Sequence, residues 1–195
     1  MDNYTSILTP LLPLIREKVI DPDSIVVASM SGASGAGRSA KTHLLFVEIN
    51  ESIRAYGAPK HRHLSEIEQE LSLAAERPVK ISFVPHLMPI NAGIVTTIFA
   101  NLAVDASEAS ARTAAAFAKT YRNCPFVRIL GEEFADTKNV VRTNFVDIGW
   151  VVDDRTGRLI VSSAEDNLGK GAGGQGIQCF NLMHGLPETE GLMNF

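Results

Sequence analysis

Two cysteines, Cys124 and Cys179, are all that 195 residues contain. That is too few for a disulfide framework and is the usage expected where thiols stay reduced. The sequence lacks an apolar run of about 18 residues, the length a helix needs to cross a bilayer, and it lacks an arginine-primed apolar leader. The expectation is a soluble, cytoplasmic protein with no membrane partner. A basic surplus is missing too: 18 Lys+Arg against 22 Asp+Glu give a net charge of −4, which argues against nucleic acid as a partner. No fixed-period repeat and no low-complexity block occurs, so neither a solenoid nor a disordered chain is indicated. What is present is ordinary globular composition, 45% apolar and 21% charged. A chain of this length buries about 70% of its unfolded surface without disulfide or metal staples.

Ile7, Leu8, Leu11, Leu12, Ile15 and Val19 recur at helical spacing over Thr5 to Ile20. Pro10 and Pro13 obscure where this helix starts; with Thr9 as the cap, Pro10 takes the first helical position. Ile25 to Met30 is a short β-branched run, read as a buried strand. Ser65 with Glu68 has the spacing of a capping box, placing a helix start near Glu66 with Ile67, Leu71 and Ala75 as its stripe. Val79 to Met88 and Ile94 to Leu102 are two β-type runs joined by a Pro/Gly turn, which predicts neighbouring antiparallel strands. Asp105 or Ser107 caps an Ala-rich helix to about Tyr121, with Ala114, Phe117, Ala118 and Tyr121 inward. Phe126 to Leu130, Asn144 to Val152 and Arg158 to Ala164 predict three more strands, the last two joined by a hairpin turn at 153–157. A final helix opens after glycines 171, 173 and 174 and stops at Gly185 and Pro187. Strands outnumber helices without strict alternation, which predicts an α+β fold with a mixed, largely antiparallel sheet and helices on one face.

Two glycine loops carry chemistry or none. Ser31 to Arg38 follows a strand, where glycine lets backbone N–H groups approach a ligand and Arg38 adds charge. It lacks the spacing of a dinucleotide fingerprint, so a flexible connector is the competing reading. Gly169 to Gly176 opens a helix, where free N–H groups and the helix dipole favour an anion; close packing against a neighbour is the alternative. His61 and His63 share one face of an extended segment. They read as a general acid/base, as two ligands of a metal short of partners, or as plain surface histidines. Both cysteines lack an activating neighbourhood, and Cys179, inside the last helix, is expected to be buried.

Several runs occur in a single order: Ser31 to Arg38, Asn50-Glu51-Ser52 to Tyr56-Gly57, His61-Arg62-His63 with Glu66-Ile67-Glu68, and Pro85-His86-Leu87 with Pro89. Pro125-Phe-Val-Arg128, Asp136 to Asn139, Asp166-Asn167 with Lys170-Gly171, and Asn181-Leu182-Met183 with Gly185-Leu-Pro187 follow. In this register the sequence resembles N-acetyl-γ-glutamyl-phosphate reductase, the NADP-dependent enzyme of arginine biosynthesis. The resemblance covers the family's substrate and dimerisation domain. It implies a fold similar to the second domain of glyceraldehyde-3-phosphate and aspartate-semialdehyde dehydrogenases.

By that resemblance, His61 or His63 is the acid/base, and Ser31, Gly32, Tyr56, Glu66 and Arg38 line the substrate or support the histidine. Gly171, Gly173, Gly174, Gln175 and Asn181 approach the nicotinamide half of NADP. Family members begin with a Rossmann domain, and none precedes Met1. Residues 1–195 are therefore expected to be a single domain that does not hold NADP tightly, with the missing Rossmann unit as its intramolecular partner and a homo-oligomer formed through its sheet. The family's nucleophilic cysteine stands in Asn-Pro-Gly-Cys-Tyr-Pro, where this sequence reads Met1-Asp2-Asn3-Tyr4-Thr5-Ser6. The chain alone is accordingly expected to be inert. Ala92 stands where the family usually has Arg, and Cys179 where it has Asn. A non-catalytic self-associating unit and an anion- or metal-binding module are the rival readings.

Overall fold

The computed structural model describes residues 3–37 and 39–193. Its chain begins in α1 (Asn3–Arg16), which runs straight through Pro10 and Pro13. Each proline lacks the N–H that would bond the carbonyl four residues earlier, and each orphaned carbonyl finds a hydroxyl. Ser163 Oγ donates to the Ser6 carbonyl, and Tyr121 Oη donates to the Thr9 carbonyl at 2.6 Å. Thr9 is thus an interior residue, not the expected cap.

The strands are β1 (Val26–Ser31), β2 (Arg54–Ala55), β3 (Ser82–Leu87), β4 (Ile94–Asn101), β5 (Val127–Gly131), β6 (Val146–Asp153) and β7 (Arg158–Glu165). They form one sheet in the order β2-β3-β1-β4-β7-β6-β5. Two neighbouring pairs, β1/β3 and β5/β6, are parallel; the others are antiparallel. The expected mixed, largely antiparallel α+β sheet is what forms. The expected pairing of the third and fourth strands is not: β1 inserts between them, joining β3 in parallel and β4 antiparallel. A local turn signal cannot report such an insertion, because the inserted strand lies some fifty residues upstream.

The remaining helices are α2 (Phe46–Ile49), α3 (Leu64–Ala75), α4 (Ala106–Tyr121) and α5 (Gly174–Met183). Helix α3 begins at Leu64 with His63 as its cap residue, two residues before the expected start. The capping box does not form, since Glu68 Oε1 instead accepts from the Ile81 amide at 3.2 Å. Helix α4 starts after Asp105 as expected, but its buried residues are Ala109, Thr113, Ala116 and Phe117. Ala114 and Ala118 are exposed, so the inward face is rotated from the expected one.

Helices α1, α3 and α4 cover one face of the sheet, with Ile7, Leu11, Leu14, Ile67, Leu71, Ile98, Phe117, Ile148 and Leu159 buried between the layers. On the other face, Gly149 carries the chain crossing from Gly131 to Ala135: a Cβ there would lie 1.6 Å from the Glu133 carbonyl oxygen. Over β3, β1 and β4 that face is open, and Val84, Ala28, Met30, Val95, Thr97 and Phe99 are only half-buried.

Candidate functional site

The ends of β1, β2 and β3 and the segment leading into α3 enclose a cleft of about 290 Å³. Ser31 ends β1 and Gly32 follows it, and both line the cleft. Glycine is required at position 32 because a Cβ would lie 2.8 Å from the Asn91 carbonyl oxygen and 2.9 Å from the Ala92 nitrogen. Tyr56 leaves β2 with its amide bonded to the Pro85 carbonyl at 2.9 Å. Its ring meets His61 edge to face, with centroids 5.8 Å apart. His61 also packs edge to face on Phe83 at 5.4 Å and on His63 at 4.9 Å.

The two histidines are thus separated by position. His61 lines the cleft; His63, only 8% exposed, does not. The His63 amide donates to His61 Nδ1 at 3.3 Å, so the proton of a neutral His61 ring sits on Nε2. Burial, together with the nearby His63 and Arg62, holds the His61 pKa below its ordinary value. Burial pushes the Tyr56 hydroxyl up; the Asn3 side chain nearby and the charge of Arg62 act the other way.

Charge enters the cleft through residues without a role in the sequence reading. Lys41, His43, Arg54 and Arg62 line it, and no Asp or Glu does so among the described residues. Arg54 Nη2 donates to the His43 carbonyl oxygen, tying the edge strand to the cleft's outer wall. A protein of net charge −4 thus presents a cation-lined concavity here, whose field favours an anionic ligand. A faint signal for these residues exists only for Arg54 and Arg62, which lie inside the motif runs Asn50 to Gly57 and His61 to His63.

Not all expected residues converge. Glu66 is exposed on α3 and does not line the cleft; together with Glu70 it raises the Tyr4 pKa, behind the larger effect of burial. Arg38 lies outside the described residues. The second glycine loop forms a wide turn over Gly169–Gly173 leading into α5. A Cβ on Gly169 would lie 2.4 Å from the Thr143 carbonyl oxygen, and one on Gly174 2.3 Å from Asn144 Oδ1. Close packing, the alternative reading, accounts for those two glycines. Gly171 is buried, with its amide bonded to the Asp166 carbonyl at 2.8 Å, while Gly173 and Gln175 are exposed. Asn181 is buried and donates to the carbonyls of Glu188 at 3.3 Å and Glu190 at 3.0 Å.

The two glycine loops are nonetheless tied together by Asn167, which is fully buried. Its Oδ1 accepts from the Gly93 amide at 2.7 Å and its Nδ2 donates to Ser34 Oγ at 2.9 Å. Cys179 is exposed, not buried, because α5 presents only Asn181 to the interior. Neither cysteine lines the cleft. Among the described residues no group of three or more His, Cys, Asp or Glu has metal-site geometry, and no helix is long and apolar enough to cross a membrane.

Comparison with known proteins gives a consistent result. A family model described as semialdehyde dehydrogenase, dimerisation domain, matches residues 3–167. The chain is 57% identical over 189 residues to an N-acetyl-gamma-glutamyl-phosphate reductase of Akkermansia muciniphila, covering 96% of this chain and 54% of that protein. It is 48% identical over 190 residues to the protein of the same name from Geobacter metallireducens, again covering 96% and 54%. The chain thus spans about half the length of the curated relatives it matches. Among solved structures, aspartate semialdehyde dehydrogenase II from Vibrio cholerae superposes with a TM-score of 0.66 at 15% identity, over 92% of this chain and 59% of that one. That likeness establishes the fold.

Proposed function

Because the chain belongs to the semialdehyde dehydrogenase dimerisation-domain family, we propose that it is the substrate-binding and dimerisation part of an N-acetyl-γ-glutamyl-phosphate reductase. The complete enzyme would be an NADP-dependent, cytoplasmic enzyme of arginine biosynthesis that reduces an acyl phosphate to a semialdehyde with release of phosphate. The observation that carries this reading is the cleft. Its cations Lys41, Arg54 and Arg62 and the absence of lining carboxylates suit a substrate bearing both a carboxylate and a phosphoryl group.

Within the cleft the residues divide the work. Lys41, Arg54 and Arg62 hold and orient the anionic groups. His61 handles the proton: with Nδ1 bonded to the His63 amide, it presents Nε2–H to an oxygen that gains charge, and its depressed pKa keeps the ring neutral near pH 7. Ser31 and Gly32 close the wall beside the acyl carbon. The attacking thiol comes from another segment, since Cys124 and Cys179 both stand away from the cleft. Its place would be near the start of α1 (Asn3–Arg16).

The residues from Gly169 to Asn181 do not make a dinucleotide site by themselves. Gly169 and Gly174 are closed off by the protein's own atoms, and the Asn181 amide is engaged with backbone carbonyls. NADP would be held chiefly by a nucleotide-binding unit outside this chain, with Gly173 and Gln175 offering one exposed wall. The open sheet face over β3, β1 and β4 is the surface through which a second copy would pair.

Titration calorimetry of the purified chain with N-acetyl-L-glutamate tests the reading. Saturable binding that weakens about tenfold or more in Arg54→Ala supports it; absence of binding overturns it. NADPH oxidation by the chain alone is expected to stay at background.

A further inference from the structure

The segment His61-Arg62-His63 turns where its sequence suggests an extended run. His63 has helical backbone angles (φ −81°, ψ −9°) and stands as the cap residue of α3, and the Leu64 amide closes back on the His61 carbonyl at 3.0 Å. The turn brings the two imidazoles edge to face at 4.9 Å but gives them different surroundings. His61 and Arg62 line the cleft, whereas His63, 8% exposed, is buried outside its lining. The Arg62 side chain comes back to that buried ring: its Nε donates to His63 Nε2 at 3.1 Å.

This contact fixes a proton. A guanidinium stays charged at any working pH, so its Nε can only donate. The nitrogen that faces it, His63 Nε2, therefore presents a lone pair, and the ring carries its proton on Nδ1. His61 is set the other way, because its Nδ1 accepts from the His63 amide at 3.3 Å and its proton lies on Nε2. Two histidines separated by one residue are thus held in opposite tautomers, one by a side-chain donor and the other by a backbone donor.

We propose that His63 is a positioning residue whose buried ring, by accepting the Arg62 Nε–H, orders the Arg62 guanidinium toward an anionic group of the ligand in the cleft. The inference rests on the substrate-cleft reading given above and adds the device that aims one of its cations. An arginine side chain loses much rotamer freedom when it is ordered, and ordering it before the ligand arrives leaves less to lose on binding. A carboxylate in place of the imidazole would hold the guanidinium too, but would add a negative charge beside the anion being recognised. A neutral ring orders the cation without that charge. The ligand class is a carboxylate or phosphoryl group, whose oxygens match the fork of guanidinium donors.

The ring and the amide of His63 can be tested apart, because the amide bond to His61 survives replacement of the side chain. His63→Gln places an oxygen acceptor where Nε2 stands; His63→Leu fills similar space with no acceptor. Titration calorimetry with N-acetyl-L-glutamate should show affinity about tenfold weaker in His63→Leu and in Arg62→Ala, and within about threefold of wild type in His63→Gln. Adding His63→Leu to Arg62→Ala should change affinity by less than about twofold, since the ring acts through the arginine. Equal losses in His63→Gln and His63→Leu, a full further loss in the double variant, or an Arg62→Ala protein that binds like wild type would each overturn the proposal.

A second readout needs no ligand and no altered core. In wild-type protein carrying ¹⁵N-histidine, at about pH 8 where histidines are neutral, His63 should show its proton on Nδ1 and His61 on Nε2, with resonances assigned through His61→Gln and His63→Gln. A proton on His63 Nε2 would exclude the Arg62 contact and overturn the proposal. Opposite tautomers in a wild-type chain that does not bind N-acetyl-L-glutamate would remove the substrate reading alone, with the hold of His63 on Arg62 upheld.

Discussion

Tyr121, at the end of α4, donates its hydroxyl to the carbonyl of Thr9 at 2.6 Å, filling the place of the N–H that Pro13 lacks. Burial drives the Tyr121 pKa strongly upward, so the hydroxyl keeps its proton and stays a donor at any working pH. Tyr121→Phe leaves a carbonyl inside the helix layer without a partner and should lower stability by about 1–2 kcal/mol, measured by urea unfolding. Pro13→Ala restores a backbone donor to Thr9. The double variant Pro13→Ala/Tyr121→Phe should therefore lose less than Tyr121→Phe alone, and simple additivity would disprove the compensation.

Gly149 admits no side chain. The Glu133 carbonyl oxygen would sit 1.6 Å from a Cβ there, and both partners are backbone in adjacent parts of the sheet layer. Gly149→Ala should destabilise by about 3 kcal/mol or more. A thermal midpoint within about 2 °C of wild type would contradict the crossing of the 131–135 segment over β6.

How much of this was legible in the sequence follows from the range of each interaction. The strands at 26–31, 94–101, 146–153 and 158–165 announce themselves by β-branched runs and turn residues, and α4 by alanine and its cap. The start of α1 was not legible, because what licenses Pro10 and Pro13 inside a helix are hydroxyls 157 and 112 residues away from the carbonyls they bond. The insertion of β1 between β3 and β4 is likewise a long-range choice. In the cleft, Ser31, Gly32, Tyr56 and His61 were legible through their motif runs. Lys41 and His43 were not, since a lone charge in a loop reads as solvated surface until folding brings it opposite Arg54. Glu66 misled, because its motif places it beside the histidines in sequence while the helix start at Leu64 leaves it outside the cleft.

Arg128 and Asp147 form a two-pronged pair across β5 and β6, at 2.6 and 2.9 Å, with Asp147 side chain 1% exposed. The guanidinium also stacks over the Phe145 ring at 4.5 Å. Arg128→Ala leaves a buried carboxylate without its cation and should cost about 2–4 kcal/mol. Arg128→Lys should recover only part of this, because an ammonium cannot match both oxygens and the ring at once. Chemical denaturation of the three proteins at pH 7 checks the order.

Acid should weaken the fold around the cleft, and the sign follows from His61. Its folded-state pKa lies below the unfolded value of about 6.5. The unfolded chain then binds more protons across the window between the two values, so stability is complete above about pH 6.5 and declines as pH falls through that window. Urea unfolding at a series of pH values should show this slope in wild type and a shallower one in His61→Gln. Identical slopes would mean that His61 is not the group responsible.

Pairing of two copies through the open sheet face should be abolished by a charge at its centre. Phe99 is half-buried on that face, and Phe99→Asp is expected to halve the mass seen by light scattering at micromolar concentration without lowering the helix content. A monomeric wild-type protein would remove the pairing from the account.

Asn167 fixes the Ser34 turn to the Gly93 turn before any ligand is present. Together with the backbone bonds from the Gly32, Ala33 and Ser34 amides to the Gly93, Ile90 and Asn91 carbonyls, it makes the two turns a single rigid jaw, so a guest entering the cleft beside Ser31 and Gly32 meets a wall already set and forfeits little disorder on arrival. Loosening the Asn167 amide would leave every contacting residue in place and the backbone bonds intact, yet soften the wall, and recognition would then be paid for partly in entropy.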